Sequence, residues 1–364
     1  MNNNIKINMN NNNTIKLLSI ITVVAILLVG SGCLTTENTQ KEPATIAKQD
    51  TVVIRILDSP DTASNWDIMK KLTGRDILEE EGVKLEYITS LPTGSGTTGV
   101  QSLLANNVDY PAAGSSGPAL PVWINAIGSG GKIKVVHGTR VRTLEKPDSY
   151  WVVLENSSIS TVKDFVDKKI AVNTLGAESD YATRFYLKNN GISIDQVQLI
   201  VVPSAQHEQV LRTKQVDIAV IGEQQYQIAK KRGGIRTVTD SYQIKGKATM
   251  ASGAGFREDF IKEHPGAVKG FVRVYEKSQR LIYDEFQKNP ESVKKAVSEI
   301  LKEKGGNPEL GNYYLPTFVP DHPFMTDDDV QWWIDRFIED GKLNPGQIKP
   351  SDIYTNEFNP YYKK

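Results

Sequence analysis

Three glycines in the stretch TSLPTGSGTTGVQSLLANN, residues 89–107, have the spacing of a phosphate-binding turn. Gly94, Gly96 and Gly99 form a G-x-G-x-x-G pattern between a strand-like run that begins at Val83 and a helix-like run over residues 97–106. Dinucleotide enzymes also need an acidic residue after the next strand to bind a ribose hydroxyl, but that strand leads here into GSSGPAL. We therefore predict a turn that binds a small ligand through backbone N–H groups, without a nucleotide cofactor.

Two other turns rich in glycine, serine and threonine also follow predicted strands. Ligands of open α/β sheets bind beyond the carboxyl ends of the strands, so the three turns could meet at one cleft. The same residue types also cap helices, which is the simpler explanation of each turn taken alone. The candidate ligand-binding residues of the three turns are Ser95, Gly96, Ser115, Ser116, Thr174 and Gly176.

Two arginines and two tryptophans are further ligand candidates. Arg140 and Arg142 lie two residues apart at the end of a predicted strand, so both side chains point the same way if the strand continues. They form either a fork for an oxyanion or a solvent-facing pair. Trp66 and Trp151 either stack on a ligand or pack within a hydrophobic wall.

Residues suited to catalysis or metal binding show no functional spacing in the sequence. No G-x-S-x-G elbow is present, and the Gly131–Lys132 pair lacks the rest of a phosphate-binding P-loop. We therefore expect no catalytic residue, no metal and no cofactor. The histidines, none of which has metal-ligand spacing, are His137, His207, His264 and His322.

The N-terminus has the features of a secretory signal peptide. Residues 17–29 are apolar or small, which is too short a run to span a membrane comfortably but fits a signal-peptide core. The sequence GSGC then ends at Cys33, and it is similar to a lipobox, at which the signal is removed and the cysteine is lipidated. An uncleaved anchor and plain secretion are the alternatives. We assign residues 1–32 to the signal peptide and 33–50 to a lipid-anchored flexible tether, which places the remaining chain on the extracytoplasmic face of the cell membrane.

The composition argues against nucleic acid as a partner. Removal of residues 1–32 would leave 41 basic and 43 acidic side chains, so the chain has no basic excess. Cys33 is the single cysteine, and an intramolecular disulfide is therefore impossible.

Strand-like and helix-like runs alternate from about residue 51 to residue 256. The first series of strand-like runs begins at residues 51, 83, 108 and 132, and the second begins at residues 150, 168, 197 and 216. This alternation predicts mostly parallel sheets flanked by helices, in two lobes of related design. Long amphipathic patterns after Phe256 predict a mostly helical C-terminal portion.

Several segments resemble the periplasmic solute-binding proteins of ABC importers for sulfonates, nitrate, taurine and thiamine-pyrimidine precursors. The resemblance is carried by SLLANNVDYPAAGSSGP at residues 102–118 and by the stretch from VVLENSSISTVKDF to VDIAVIGEQ, residues 152–224. The tail GKLNPGQIKPSDIYTNEFNP, residues 341–360, is similar to the family's C-terminal wrap. The order of these segments covers nearly all of the chain that would remain after cleavage.

The resemblance implies a type II-like binding-protein fold of two α/β lobes that close on a solute. It implies that residues 51–147 and 248–364 form one lobe and residues 148–247 the other. The chain would cross between them near Pro147–Tyr150 and near Tyr242–Ala251. The lobes of such a protein would bind a small anionic or zwitterionic solute and deliver it, as a monomer, to an ABC permease with its ATPase subunit. The alternatives are a binder of a thiamine-pyrimidine precursor or another neutral heterocycle, and a pyrimidine-synthase-like enzyme.

Glu223 is where the sequence departs from the family pattern. Many members carry an aromatic residue and a proline after this strand, whereas the chain has Glu223 and Gln224. A carboxylate that faces the cleft would disfavour a simple anion and favour a zwitterion or an aminopyrimidine. Alternatively, Glu223 simply stabilises the first turn of a helix.

Overall fold

The computed structural model describes residues 52–89, 96–112 and 117–363. Its strands are β1 (Val53–Asp58), β2 (Lys84–Thr89), β3 (Ile133–Arg142), β4 (Ser149–Leu154), β5 (Lys169–Val172), β6 (Gln198–Val201), β7 (Ile218–Gly222), β8 (Ile235–Asp240) and β9 (Thr249–Arg257). Its α-helices are α1 (Asn65–Thr73), α2 (Ile77–Glu80), α3 (Gly96–Leu104), α4 (Leu120–Gly128), α5 (Glu178–Asn189), α6 (His207–Arg212), α7 (Glu223–Arg232), α8 (Ser241–Lys245), α9 (Glu258–Glu263), α10 (Pro265–Lys288), α11 (Pro290–Glu303), α12 (Asp327–Glu339) and α13 (Pro350–Ile353).

Residues 149–240 supply a five-stranded sheet with the order β6-β5-β7-β4-β8. Strand β5 pairs in parallel with β6 and β7, as the alternating pattern predicts. Strand β4 instead runs antiparallel to both β7 and β8, so the sheet is mixed. Trp151 and Val153 of β4 face one hydrophobic core while Tyr150 and Val152 face another, because successive side chains of a strand point to opposite faces.

The remaining strands form two smaller pairs. Strands β1 and β2 are parallel, and Ile56 of β1 also forms a parallel bridge with Tyr110. The strand predicted near Val108 is therefore reduced to that bridge within the described residues. Strand β3 pairs antiparallel with β9, which was not predicted as a strand, since its small residues lack an apolar alternation.

Two short segments connect the β3–β9 pair to the five-stranded sheet. Residues 143–148 lead from β3 into β4, and α8 with residues 246–248 leads from β8 back into β9. These segments overlap the stretches near residues 147–150 and 242–251, at which the sequence predicts crossings between lobes. Both segments therefore lie between the two sheets, beside the ends of β3 and β9.

The C-terminal portion is mostly helical, as its amphipathic patterns predict. Helix α10 is 24 residues long and buries Phe271, Val274 and Tyr275 against the β1–β2 side of the molecule. Helix α12 buries Trp333 and Phe337 in a second core. Across the ranges 52–89, 96–112 and 117–363, no helix is long and apolar enough to cross a membrane.

Candidate functional site

One edge of the five-stranded sheet collects several of the predicted ligand-binding residues. Strands β5 and β7 are parallel and end at this edge, so the turn at residues 173–177 and Glu223 both lie there. Strand β4 runs the opposite way and begins at the same edge, because Ser149 pairs with Gly222. Asp148 immediately precedes β4 and therefore lies at the same edge as Glu223 and the turn at residues 173–177.

The turn after β5 places Thr174 and Gly176 at the N-terminus of α5. The Thr174 hydroxyl donates to the carbonyl oxygen of Asn173 at 2.7 Å, and the Gly176 N–H donates to the Asp180 carboxylate at 2.8 Å. Gly176 has a φ of +79°, a conformation that glycine adopts without strain. Ala177 precedes α5 and supplies no side-chain cap, so the first N–H groups of this helix are available to a ligand.

Arg140 and Arg142 both point toward Asp148, but they are not a solvent-facing pair. Arg140 donates to the Asp148 carboxylate at 2.6 Å. The Arg142 side chain is fully buried, forms an ion pair with Glu178 and approaches Asp148 at 3.5 Å. Burial lowers the pKa of Arg142 to about 10, whereas the Asp148 carboxylate raises the pKa of Arg140. The strand-end spacing predicted a shared direction correctly, and the solvent-facing alternative is wrong.

Asp148 is a central residue of the site that the sequence did not reveal. Its side chain is 4% exposed, and its carbonyl oxygen accepts the N–H of Glu223 at 3.1 Å. Burial acts to raise the pKa of Asp148, but the neighbouring charges of Arg140 and Arg142 outweigh it, and the pKa is lowered. Its φ of +89° is rare for a residue with a side chain, although Asp and Asn tolerate this region best. The feature of the sequence that could have pointed to Asp148 is an aspartate at the predicted boundary between two lobes.

Glu223 begins α7 at the same edge and is held by uncharged donors. The Tyr150 hydroxyl donates to one of its oxygens, and Gln227 donates to the other at 2.7 Å. The next residue, Gln224, donates to the carbonyl oxygen of Leu310 at 3.2 Å. This edge of the sheet therefore faces the 3-10 turn Pro308–Tyr313 of the C-terminal portion.

Lys146 lies on the same connecting segment as Asp148. Its ammonium group donates to the carbonyl oxygens of Pro316 at 2.6 Å and Leu315 at 3.4 Å. Burial, with the nearby positive charge of Arg140, lowers the pKa of Lys146 to about 8. These hydrogen bonds hold residues 315–316 against the connecting segment 143–148.

The candidates on the β3–β9 side are only partly described. Ser95, Ser115 and Ser116 lie outside the described residues. Gly96 begins α3 and is close to Pro118, because a Cβ on Gly96 would lie 2.8 Å from the Pro118 Cα. Gly96 therefore lies close to the segment that begins at Gly117.

A hydroxyl network extends from this segment toward the end of β3. The Gly117 N–H donates to the Thr139 hydroxyl at 3.1 Å, and this hydroxyl lies 2.8 Å from that of Ser252. Thr139 immediately precedes Arg140. Gly96, Gly117 and the arginine pair thus belong to neighbouring parts of the structure.

The two tryptophans do not present a face to a ligand. Trp66 is 2% exposed, donates its indole N–H to the Tyr87 hydroxyl at 2.9 Å, and packs edge-on against Phe271. Trp151 is fully buried and donates to the Thr183 hydroxyl at 2.9 Å. Their assignment as ligand-stacking residues is corrected to the alternative, which was packing within a hydrophobic wall.

The histidines and the open cavity of the described structure do not belong to the group of residues at this edge of the sheet. Within the part of the chain that the structure describes, no group of His, Cys, Asp and Glu side chains could hold a metal ion. His137 is buried against Tyr110 and Tyr275, and burial lowers its pKa to about 4. An open cavity of about 380 Å³ lies beside Lys247, His322 and the start of α12.

Comparison with known families now bears on these observations. The sequence pattern described as NMT1/THI5 like matches residues 78–293, which is more than half of the chain. The chain belongs to the NMT1/THI5 like family. The match includes β3, β4, β5, β7 and the residues of the edge described above.

Relatives of this NMT1/THI5 like chain include a Brucella abortus (strain 2308) protein that is provisionally named as a binding protein. The two sequences are 25% identical over 272 residues, covering 72% of this chain and 79% of the relative.

Solved structures show the same fold. The aliphatic sulphonate binding protein SsuA of Escherichia coli is 17% identical, with a TM-score of 0.62 over 86% of this chain and 94% of that one. The nitrate-binding protein NrtA of Synechocystis PCC 6803 is 14% identical, with a TM-score of 0.65 over 85% and 87%. The two-lobed periplasmic binding-protein fold is therefore confirmed.

Proposed function

We propose that the chain is the extracytoplasmic solute-binding component of an ABC importer. In this role it captures a small anionic or zwitterionic solute of the sulfonate, taurine or nitrate class and delivers it to a membrane permease. Family membership and the sulfonate-binding and nitrate-binding names of its structural neighbours support this proposal. The observation that carries it is that Thr174, Gly176 and Glu223 lie at one edge of the five-stranded sheet, where Asp148 also contacts Arg140 of β3.

The solute would bind between two lobes, residues 51–147 with 248–364 and residues 148–247. The described turns, Thr174–Gly176 on one lobe and Gly96 on the other, would hold its oxygen atoms. The first turn of α5 supports this placement, since this helix has no side-chain cap at its N-terminus. Unpaired N–H groups with a partial positive charge bind oxyanions without a full cationic partner.

The partners follow from this role. A permease with its ATPase subunit would receive the solute, and a lipid on Cys33 would keep the monomeric protein near that permease and raise its local concentration. Neither a catalytic step nor a cofactor is required. Mass measurement of the N-terminal peptide tests the anchor, because a lipid would add mass at Cys33.

A thermal-shift screen of the chain from residue 34 onward tests the binding role. The panel would contain nitrate, alkanesulfonates, taurine, carboxylic acids, amines and aminopyrimidines. A solute at 100 times its dissociation constant should stabilise the folded protein by about 2.7 kcal/mol. Absence of stabilisation by every member of the panel, confirmed by calorimetry at millimolar concentration, would contradict a solute-binding role.

A further inference from the structure

The charges at the candidate site are unequally compensated. The positive charges of Arg140 and Arg142 are each matched by a carboxylate in direct contact, whereas Glu223 accepts hydrogen bonds only from neutral groups and interacts with Lys146 through space, without an ion pair. We propose that the solute carries a positively charged or N–H-rich nitrogen group that binds Glu223, and that it has no net negative charge. This inference rests on the proposed solute-binding function and narrows its ligand class.

The arginines are poorly placed to supply a free positive charge to an anion. Arg140 donates to Asp148 at 2.6 Å, and the Asp148 side chain is only 4% exposed. If an anionic solute bound Arg140 and broke its ion pair with Asp148, Asp148 would lose one of its two cationic partners while remaining buried. Such a loss is strongly unfavourable. Arg142 is fully buried and is held by Glu178, Asp148 and the carbonyl oxygen of Pro147 at 3.1 Å.

Lys146 does not restore a free cation either. Its ammonium group already donates to two backbone carbonyl oxygens of residues 315–316. The same burial that lowers its pKa makes its charge costly to maintain, so it is poorly suited to serve as the main partner of an anion.

Glu223 has the opposite character. Its partners, Tyr150 and Gln227, donate hydrogen bonds but carry no charge, and it forms no ion pair with any residue in the ranges 52–89, 96–112 and 117–363. A carboxylate has about four acceptor sites, so Glu223 can still accept N–H groups of a ligand. The Gln224–Leu310 contact shows that this turn faces the opposing wall of the candidate cleft.

This arrangement suits a ligand with two different ends. An acidic end would bind the uncapped N-terminus of α5 near Thr174, and an ammonium or similar group would bind Glu223. Nitrate and simple alkanesulfonates have only the acidic end. Glu223 would repel their negative charge, and they carry no ammonium group to offset this repulsion.

Matched small molecules provide the test. Ethanesulfonate, taurine and ethylamine share a two-carbon skeleton and are an anion, a zwitterion and a cation; propionate, β-alanine and propylamine form a second such series. Nitrate and a 4-aminopyrimidine complete the panel, which is titrated against the chain from residue 34 onward by calorimetry. Each molecule is measured against the parent and against Glu223→Gln. Glu155→Gln is the control, because it removes an exposed carboxylate beyond the other end of β4.

We expect binding of at least one molecule with an ammonium or amino group, and no binding of nitrate, ethanesulfonate or propionate at millimolar concentration. Glu223→Gln should lower the affinity for the molecule that binds by about tenfold or more, the usual effect of losing a charge-assisted hydrogen bond. Glu155→Gln should leave this affinity unchanged. Tight binding of a simple anion, or the same ligand ranking in Glu223→Gln as in the parent, overturns this inference but leaves the solute-binding function intact. Failure of every molecule overturns both.

Discussion

At the scale of single residues, Asp148 connects the two sheets electrostatically. Its carboxylate forms an ion pair with Arg140 and lies near Arg142, both at the end of β3. Its backbone carbonyl oxygen accepts the N–H of Glu223 in α7. Its positive φ shows that the surrounding contacts hold the backbone in a conformation that few residues adopt freely. A buried carboxylate with two cationic neighbours should therefore be needed for the stability of the fold.

Asp148→Asn should lower the free energy of unfolding by about 3 kcal/mol, because it leaves Arg140 and the buried Arg142 with one carboxylate fewer. Asparagine tolerates the same backbone conformation, so the change isolates the charge. Chemical denaturation at pH 7 measures the effect, with the exposed Asp195→Asn as the matched control. Equal stability of the two variants would show that the Asp148 charge is dispensable.

The pH dependence of this contribution has a definite sign. Because the folded protein lowers the pKa of Asp148, its stabilising effect is fully present above the ordinary carboxyl pKa and is lost as the pH falls through the folded value. The stability difference between the parent and Asp148→Asn should accordingly shrink toward acidic pH.

At the scale of elements, the sequence predicted the strands of the second series well. The runs from residues 150, 168, 197 and 216 became β4, β5, β6 and β7, since each has a dense apolar pattern bounded by turn residues. It did not predict the direction of β4, which depends on where the chain enters the sheet. It also missed the pairing of β3 with β9, because strand pairing depends on contacts more than 100 residues apart in the chain.

The candidate site was predictable only where it lies in local turns. The turn at Thr174–Gly176 follows from a strand-to-helix pattern, and the structure brings it to the predicted edge. The contact between Arg142 and Glu178, in contrast, joins the end of β3 to the start of α5, which the sequence places in different lobes. No local pattern encodes such a contact, so burial of Arg142 appeared only with the tertiary structure.

The glycines of the opening motif serve packing as well as any ligand contact. A Cβ on Gly99 would overlap the carbonyl oxygen of Pro111, and one on Gly96 would lie 2.8 Å from Pro118. Helix α3 therefore needs glycine at both positions to approach Pro111 and Pro118. From the sequence, a valine at Gly96 would be expected to block the ligand. In the structure it would also displace Pro118 directly.

Gly99→Ala should thus destabilise the ligand-free protein by roughly 1 to 3 kcal/mol, the usual cost of overpacking against backbone. Gly222→Ala is the control, because its Cβ would meet the Gln225 side chain at an ordinary 3.4 Å. Thermal melting without ligand compares the two. A Gly99→Ala protein that melts like Gly222→Ala would mean that α3 can move away from Pro111 at little cost.

At the scale of the whole molecule, contacts across the candidate cleft hold the proposed lobes together in this structure. Lys188 of α5 and Glu339 of α12 approach at 3.3 Å, and Lys342 donates to the Tyr181 hydroxyl at 2.8 Å. The Lys188–Glu339 pair is substantially exposed, and such pairs contribute little stability on their own. Tyr181 also stacks on Phe337 within a shared buried core. We expect this closed arrangement to be in equilibrium with a more open one, and a solute that contacts both lobes would favour closure.

Spin labels at Lys188→Cys and Glu339→Cys should detect this closure by electron–electron distance measurement. Cys33 is the single native cysteine, so a chain that starts at residue 34 offers a background free of other labelling sites. Without solute we expect a broad distribution that extends to long distances; with saturating solute it should narrow to the short distance implied by the Lys188–Glu339 contact. Labels at Glu155→Cys and Lys188→Cys, both within residues 148–247, should give one distribution in either condition. If the first pair is equally narrow with and without solute, the crossings at residues 143–148 and 241–248 do not act as hinges, and binding must occur in a rigid cleft.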